Sequence, residues 1–170
     1  RTSTTETSIF LVENISWATY ERLLLDLEPQ RLRLTYDDGE LAIMSPLPKH
    51  EWSKRLLGRI VEMVTYELNI PIKSLGSTTW RKKVRRKGLE PDECYFIQHE
   101  PQVRGREDFD LKTDPPPDLA IEVKVTNHPL DRMKIYAALR VPEIWLFDGE
   151  RVHIMLLEDN RYIDVEASAA

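Results

Sequence analysis

The chain has 170 residues and a net charge of −5, with 41% hydrophobic and 31% charged residues. That length and mix suit one globular domain with a real core, and the acidic balance argues against a general nucleic-acid coat protein while leaving room for an enzyme with one local basic patch. Apolar runs such as LAIMS and IWLF are far too short to span a bilayer, RTSTTETSIF lacks the apolar core of a signal peptide, and the lone Cys94 excludes an internal disulfide, so a cytoplasmic location is expected.

Ser16 is the predicted N-cap of a first helix, with Trp17, Tyr20, Leu23, Leu24 and Leu27 at helical spacing and Pro29 as its stop. In RLRLTYDDGELAIMS, Leu32, Leu34 and Tyr36 alternate, Asp37-Asp38-Gly39 turns the chain, and Leu41 and Ile43 alternate again, which predicts a hairpin. From about His50 to Leu68 the period changes to 3.6, and Leu57, Ile60, Val61, Val64 and Leu68 are expected to form one stripe, with Pro71 as the stop. Strand-like runs follow over 72–80 and 91–98, separated by the basic run RKKVRRK. The stretch 99–117, charged and proline-rich, reads as a loop, and 118–126 reads as a strand.

Pro129 suits the first turn of a helix carrying Ile135, Tyr136 and Leu139, which Val141-Pro142 ends. EIWLFD and RVHIMLLE, divided by Gly149, predict two more strands, and RYIDVE a last short one. No repeat and no composition break divides the chain, so residues 1–170 are expected to form a single domain. Its class is α/β in the broad sense, an α+β mixed sheet with helices packed on it.

PPPDLAIEVKVTN, residues 115–127, carries most of the chemistry. Alternation puts Leu119, Ile121, Val123 and Val125 on one face and Asp118, Ala120, Glu122, Lys124 and Thr126 on the other. Helices on both sides of the sheet would partly cover even the second face, where an unpaired carboxylate is costly. Glu122 and Lys124 lie ~6.6 Å apart along a strand, close enough for a plain salt bridge. They also suit a nuclease site, where a carboxylate holds Mg²⁺ and a lysine orients the attacking water. One such ion needs oxygens ~2.1 Å away, and Asp118 is ~13 Å from Glu122 along a strand. A second carboxylate should therefore come from a neighbouring strand, and EPDECYFIQ supplies Asp92 after a proline. Antiparallel pairing of 91–98 with 118–126 is the simplest arrangement, with a bend or an extra crossing expected to bring Asp92 beside Glu122.

A Pro-Asp opening one strand and Glu-x-Lys on the next resembles the PD-(D/E)XK nuclease superfamily. SWATYERLL, LTYDDGELAIMSP, His50 at a helix start, EPDECYFI, PPDLAIEVKV and YAALRVPEIWLFD fall in order over about residues 14–150. Together they resemble the family of putative restriction endonucleases that is expanded in cyanobacteria. The resemblance implies a restriction-endonuclease-like core of helix, three strands, helix and strand, here with an N-terminal helix and hairpin. It implies a metal-dependent endonuclease hydrolysing DNA phosphodiester bonds, with Asp92 and Glu122 as ligands of Mg²⁺ or Mn²⁺ and Lys124 as the catalytic lysine. Related nucleases often carry Gln-x-x-x-Tyr on the next helix, where this chain has Arg132-x-x-x-Tyr136. The glutamine is absent, although an arginine can contact phosphate. The alternative is an inactive nuclease-fold module that binds DNA or protein. A homodimer is typical of such folds, since two sites can address two strands, though no segment declares an interface.

Further candidates have plainer readings beside them. Glu62 on the long helix reads first as a solvated residue and second as a third acidic ligand. His50 reads first as a capping or packing residue and second as functional. The run Arg81 to Lys87 is either a solvated hairpin end or a grip on the phosphate backbone. The tryptophans Trp17, Trp52, Trp80 and Trp145 read as packing residues. His99, His128 and His153 lack ligand spacing, and the absence of Gly-rich phosphate motifs leaves nucleotide cofactors without support.

Overall fold

The computed structural model describes the backbone of residues 8–45 and 48–170 and the side chains of residues 8–45 and 51–170. In chain order the elements are β1 (Ile9–Val12), α1 (Trp17–Leu27), β2 (Arg33–Asp37), β3 (Glu40–Met44), α2 (Pro48–Glu67), β4 (Lys73–Ser74), β5 (Trp80–Lys82), β6 (Lys87–Leu89), β7 (Glu93–Phe96), α3 (Glu100–Val103), β8 (Leu119–Val123), α4 (Arg132–Leu139), β9 (Glu143–Phe147), β10 (Val152–Glu158) and β11 (Arg161–Val165).

The predicted mixed sheet is in fact two sheets. One has the order β1-β3-β2-β6-β5 and is antiparallel throughout. The other has the order β11-β10-β9-β8-β7-β4, antiparallel except where β8 and β9 run parallel, joined by the α4 crossover. With β5 and β6 joining the first sheet and the short α3 lying in a loop, the second sheet and its helices follow α2, β4, β7, β8, α4, β9, the helix, three strands, helix, strand order expected from the resemblance.

Local chemistry explains the ends of these elements. The Ser16 hydroxyl accepts the Thr19 amide at 3.1 Å and starts α1. Asp37 pairs with Glu40, which leaves Asp38-Gly39 as a two-residue loop with φ of 47° and 104°. A loop with two positive φ angles is the turn that matches strand twist, and glycine meets its second position without strain. At the fourth helix the Asp131 carboxylate accepts the Lys134 amide at 3.2 Å. That cap sets the start of α4 at Arg132 and leaves Pro129 outside the expected first turn. The loop over 99–117 contains the short α3.

The layers follow from which face each strand shows. On β2, Leu34 and Tyr36 point to α1 and pack with Trp17, Tyr20 and Leu41. Cys94, Phe96, Ala120 and Ile144 of the second sheet pack with Ile135, Tyr136 and Leu139 of α4 and with Ala42, Trp80 and Leu89 of the first sheet. Leu119, Ile121 and Tyr95 point the other way, against Leu57 and Val61 of α2. The expectation of helices on both faces of β8 therefore holds. Cys94 is buried, and burial pushes its thiol up to about 12, the behaviour of a small hydrophobe.

Two packing expectations are corrected. The stripe of α2 divides: Leu57 and Val61 face the sheet, whereas Ile60, Val64 and Leu68 face solvent. Trp52 also lies on the solvent side, 69% exposed, while Trp17 and Trp80 are buried.

Gly88 of β6 crosses directly under Tyr20. A Cβ there would sit 2.8 Å from Tyr20 Cζ and closer still to its hydroxyl, which is buried without a hydrogen-bond partner among the described residues. Gly88→Ala is expected to cost about 1–3 kcal/mol through overpacking, and Tyr20→Phe about nothing, since it removes only an unsatisfied polar group. In the Tyr20→Phe background the glycine penalty should shrink. Urea unfolding of the two single variants and the double variant measures this, and strictly additive penalties would show that the contact does not set the cost.

Candidate active site

The site grows out of strand alternation. With Leu34 and Tyr36 facing α1, β2 turns Arg33 and Thr35 inward to the space between the sheets, where they are 8% and 2% exposed. Opposite them lies the end of β8. Asp92 sits just before β7, its amide donating to Ile121 O at 3.1 Å while its Oδ2 accepts from the Val123 amide at 2.6 Å. These bonds bracket Glu122 and place Asp92 beside it. No bend or extra crossing is needed, because in an antiparallel pair the start of one strand meets the end of the other. Asp92 and Glu122 are 3% and 5% exposed.

Each buried carboxylate has a guanidinium partner. Arg33 Nη1 donates to Asp92 Oδ1. Arg132 Nη2 and the Tyr136 hydroxyl both donate to Glu122 Oε1. The Arg132 fork is held further by Thr35 Oγ1 and by the Glu90 carbonyl, each at 2.7 Å. Burial and the neighbouring Asp92 charge raise the Glu122 carboxyl above its ordinary range, and Arg132 opposes the rise. Burial disfavours both charged guanidiniums, but Asp92 and Glu122 outweigh it, so Arg33 and Arg132 are raised. Burial and then the Glu122 charge raise the Tyr136 phenol.

Lys124 lies one residue past β8, its amide donating to Phe147 O at 2.8 Å and so extending the pairing with β9. Its side chain is exposed, on the rim of a small cavity of about 190 Å³ that Glu122, His128, Asp131 and Arg132 also line. Burial lowers the His128 imidazole. On the Arg33 side a larger cleft of about 990 Å³ is lined by the cations Arg31, Arg33, Lys54, Arg55 and Arg81 and the carboxylates Glu28, Glu51 and Glu90.

The structure thus brings together Asp92, Glu122, Arg132 and Tyr136, with Lys124 at the edge. It does not bring Glu62 to them. Glu62 is exposed on α2, which packs on the opposite face of β8, and its charge acts on Glu93 and Tyr95. His50 falls in the first turn of α2, and its side chain lies outside the described residues. Asp118 works at the far end of β8, accepting the Ile97 and His99 amides at 2.7 and 2.9 Å. The basic run is partly neutralised, since Arg81, Arg86 and Lys87 pair with Glu21, Asp38 and Asp37. Among the described residues no three His, Cys, Asp or Glu side chains converge as a metal-binding group. Arg33 and Thr35 escape a reading by periodicity, because the polar face of a hairpin strand looks like a solvated face.

Compared with known families, residues 17–170 match the model of Uma2, described as a putative restriction endonuclease. The chain belongs to the Uma2 family. That family is part of the PD-(D/E)XK superfamily, and the two sheets and four helices of the described residues are consistent with a restriction-endonuclease-like fold. Uma2 membership points to nuclease activity, and nucleases of the superfamily usually use divalent metal ions. No curated protein matches the chain significantly. Among the described residues no helix is long and apolar enough to cross a membrane.

The ion pairs give a test of the site's electrostatics. Arg132→Met leaves Glu122 buried without its counter-charge, at an expected cost of about 3–5 kcal/mol near neutral pH. A carboxyl raised in the folded state binds protons that the unfolded state has released, so stability falls as pH rises from the unfolded value of about 4.3 toward the folded one. Loss of Arg132 raises the folded value further and carries that fall to higher pH. The cost of the substitution should therefore grow between acidic and neutral pH, read by urea unfolding across a pH series. A cost independent of pH would show that Glu122 does not carry it.

Proposed function

We propose that this Uma2 protein is a Mg²⁺- or Mn²⁺-dependent endonuclease that hydrolyses DNA phosphodiester bonds, built as one nuclease-like unit over residues 1–170. The observation that carries the reading is the placement of Asp92 against the end of β8, beside Glu122, with Lys124 two residues on. The donor set fits a hard divalent cation. Both groups are carboxylates, Mg²⁺ needs only one or two of these with water and phosphate completing its shell, and both hydrogen bonds given to Glu122 fall on Oε1. Asp92 and Glu122 would hold the ion. Bound there, it supplies Lewis-acid stabilisation of charge on the phosphate and a more acidic water.

The chain's own residues do the rest. Tyr136 and Arg132 fix the orientation of Glu122, and the Val123 amide fixes Asp92. Lys124, free to move at the rim, orients the attacking water and donates to a phosphate oxygen as negative charge builds in the in-line displacement. The cleft beside Arg33 offers five cations against three carboxylates, which suits a nucleic-acid backbone gripped without regard to sequence. Two copies acting together would address two strands.

One observation favours a second reading, a module that binds DNA or protein without cleaving. Both candidate ligands already carry a guanidinium, so the carboxylates are neutralised without any ion.

Supercoiled plasmid incubated with Mn²⁺ separates the two. The parent protein should nick or linearise it, EDTA should abolish the reaction, and Lys124→Ala and Glu122→Gln should each slow it by about 100-fold or more. A folded protein that binds plasmid, leaves it intact and takes up no Mn²⁺ supports the second reading. Equal cleavage by parent and variants would mean that the reacting groups lie elsewhere.

A further inference from the structure

The two guanidiniums of the site are held unequally. Arg132 donates to three acceptors, Thr35 Oγ1, the Glu90 carbonyl and Glu122 Oε1, and cannot leave without giving up all three. The Arg33 side chain makes one hydrogen bond among the described residues, to Asp92 Oδ1. Its Nη2 stands 3.6 Å from Glu51 Oε1 on α2, an ion pair too long for a hydrogen bond. Arg33 also lines the open cleft of about 990 Å³, whereas Arg132 lines the small cavity beside Lys124.

The two carboxylates differ in the same sense. Both hydrogen bonds to Glu122 fall on Oε1, which leaves Oε2 without a donor among the described residues. Asp92 has a donor on each oxygen, Arg33 on Oδ1 and the Val123 amide on Oδ2. The amide belongs to the backbone of β8 and stays where the strand puts it. Arg33 is therefore the group that must withdraw before Asp92 can offer an unshared oxygen to a cation. Withdrawal alone leaves a buried carboxylate without its counter-charge, and a cation alone sets two positive groups against one oxygen, so each event is costly by itself. The cleft gives the guanidinium somewhere to go. Glu51 already attracts it from there, with Lys54 3.3 Å behind Glu51, and a backbone phosphate in the cleft would offer two oxygens to the planar fork.

We propose that Arg33 is the residue through which DNA opens the metal site: it leaves Asp92 for a backbone phosphate in the cleft and so frees Asp92 to hold the divalent cation. This rests on the metal-dependent reading above and adds the group that couples substrate to metal. Arg33 is then both a phosphate-binding residue and a guard against metal uptake without substrate, while Arg132 stays on Glu122. By linkage, DNA tightens Mn²⁺ binding and Mn²⁺ tightens DNA binding by the same factor, at least about 10-fold.

Mn²⁺ uptake, read from the electron-spin resonance of the unbound ion, and binding of a duplex oligonucleotide, read by fluorescence anisotropy, test this in the full chain. Every form carries Lys124→Ala to keep the DNA intact, and the Mn²⁺ that DNA binds by itself is subtracted. Without DNA, Arg33→Met should bind Mn²⁺ about 10-fold more tightly than its parent, and DNA should then add little. Arg55→Met removes a cation of the same cleft that pairs with neither Asp92 nor Glu122. It should weaken DNA binding and leave Mn²⁺ uptake without DNA within about 2-fold. If Arg33→Met fails to fold, DNA binding in EDTA decides. There Asp92→Asn should tighten DNA about 10-fold by releasing Arg33, and combining it with Arg33→Met, which leaves a neutral pair, should remove that gain. An Arg33→Met protein that binds Mn²⁺ no better, or an Asp92→Asn gain that survives the loss of Arg33, would overturn the inference and leave the metal-dependent reading standing. No Mn²⁺ bound by any form, with or without DNA, would overturn that reading and the inference with it.

Discussion

Two carboxylates between two sheets set the constraint on which the rest of this structure depends. Asp92 and Glu122 lie almost wholly out of water, beside one another, and burial together with the Asp92 charge raises the cost of ionising Glu122. Unpaired, such a pair would neutralise by protonation or prevent the sheets from closing. Arg33 from one sheet and Arg132 from the crossover helix bring two positive charges to two negative ones, so the buried group is balanced as a whole. The arginine fork suits this task because a guanidinium stays protonated in low dielectric and spreads its donors over several acceptors at once. Arg132 does so here, bridging Thr35, the Glu90 carbonyl and Glu122.

That balance explains why the sheets meet where they do. Arg33 and Thr35 reach the site only because Leu34 and Tyr36 take the opposite face of β2 and are covered by α1. The aromatic group of Trp17, Tyr20 and Tyr36 behind the strand therefore serves the site, since it leaves β2 only one way to face. On the other sheet the same alternation sends Ile121 to α2 and Glu122 to α4. A slip of one residue in either strand would exchange apolar for charged faces throughout, a far larger penalty than any single contact could offset.

Much of this was legible in the sequence, for definite reasons. Alternation over LAIEV, the Asp38-Gly39 turn, the Ser16 cap and the period of the long helix are local signals, and the elements appear where those signals put them. The segment resemblance marked Asp92, Glu122, Arg132 and Tyr136, and the fold brings all four together. What escaped was non-local. Nothing near Arg33 says that another sheet will cover it. Nothing in the helical period of α2 says that half of its apolar residues will stay in water. Glu62 looked like a ligand candidate because of the helix that carries it, yet that helix packs on the wrong face of β8. The register of Asp92 was misjudged for a simpler reason, since antiparallel strands bring a start to an end without any bend.

The same ion pairs bear on how the site could work. A divalent cation settling between Asp92 and Glu122 would add charge to a group that Arg33 and Arg132 already neutralise. It could enter only if a guanidinium moved away or if an anion arrived with it. A phosphate supplies that anion, and either guanidinium, once released, can pair with phosphate oxygens through the same planar fork. The cations of the neighbouring cleft lead from open solvent to Arg33, the one of the two arginines that lines it. On this electrostatic ground, metal and nucleic acid would bind together more readily than either binds alone, and the buried ion pairs stay balanced when neither is present.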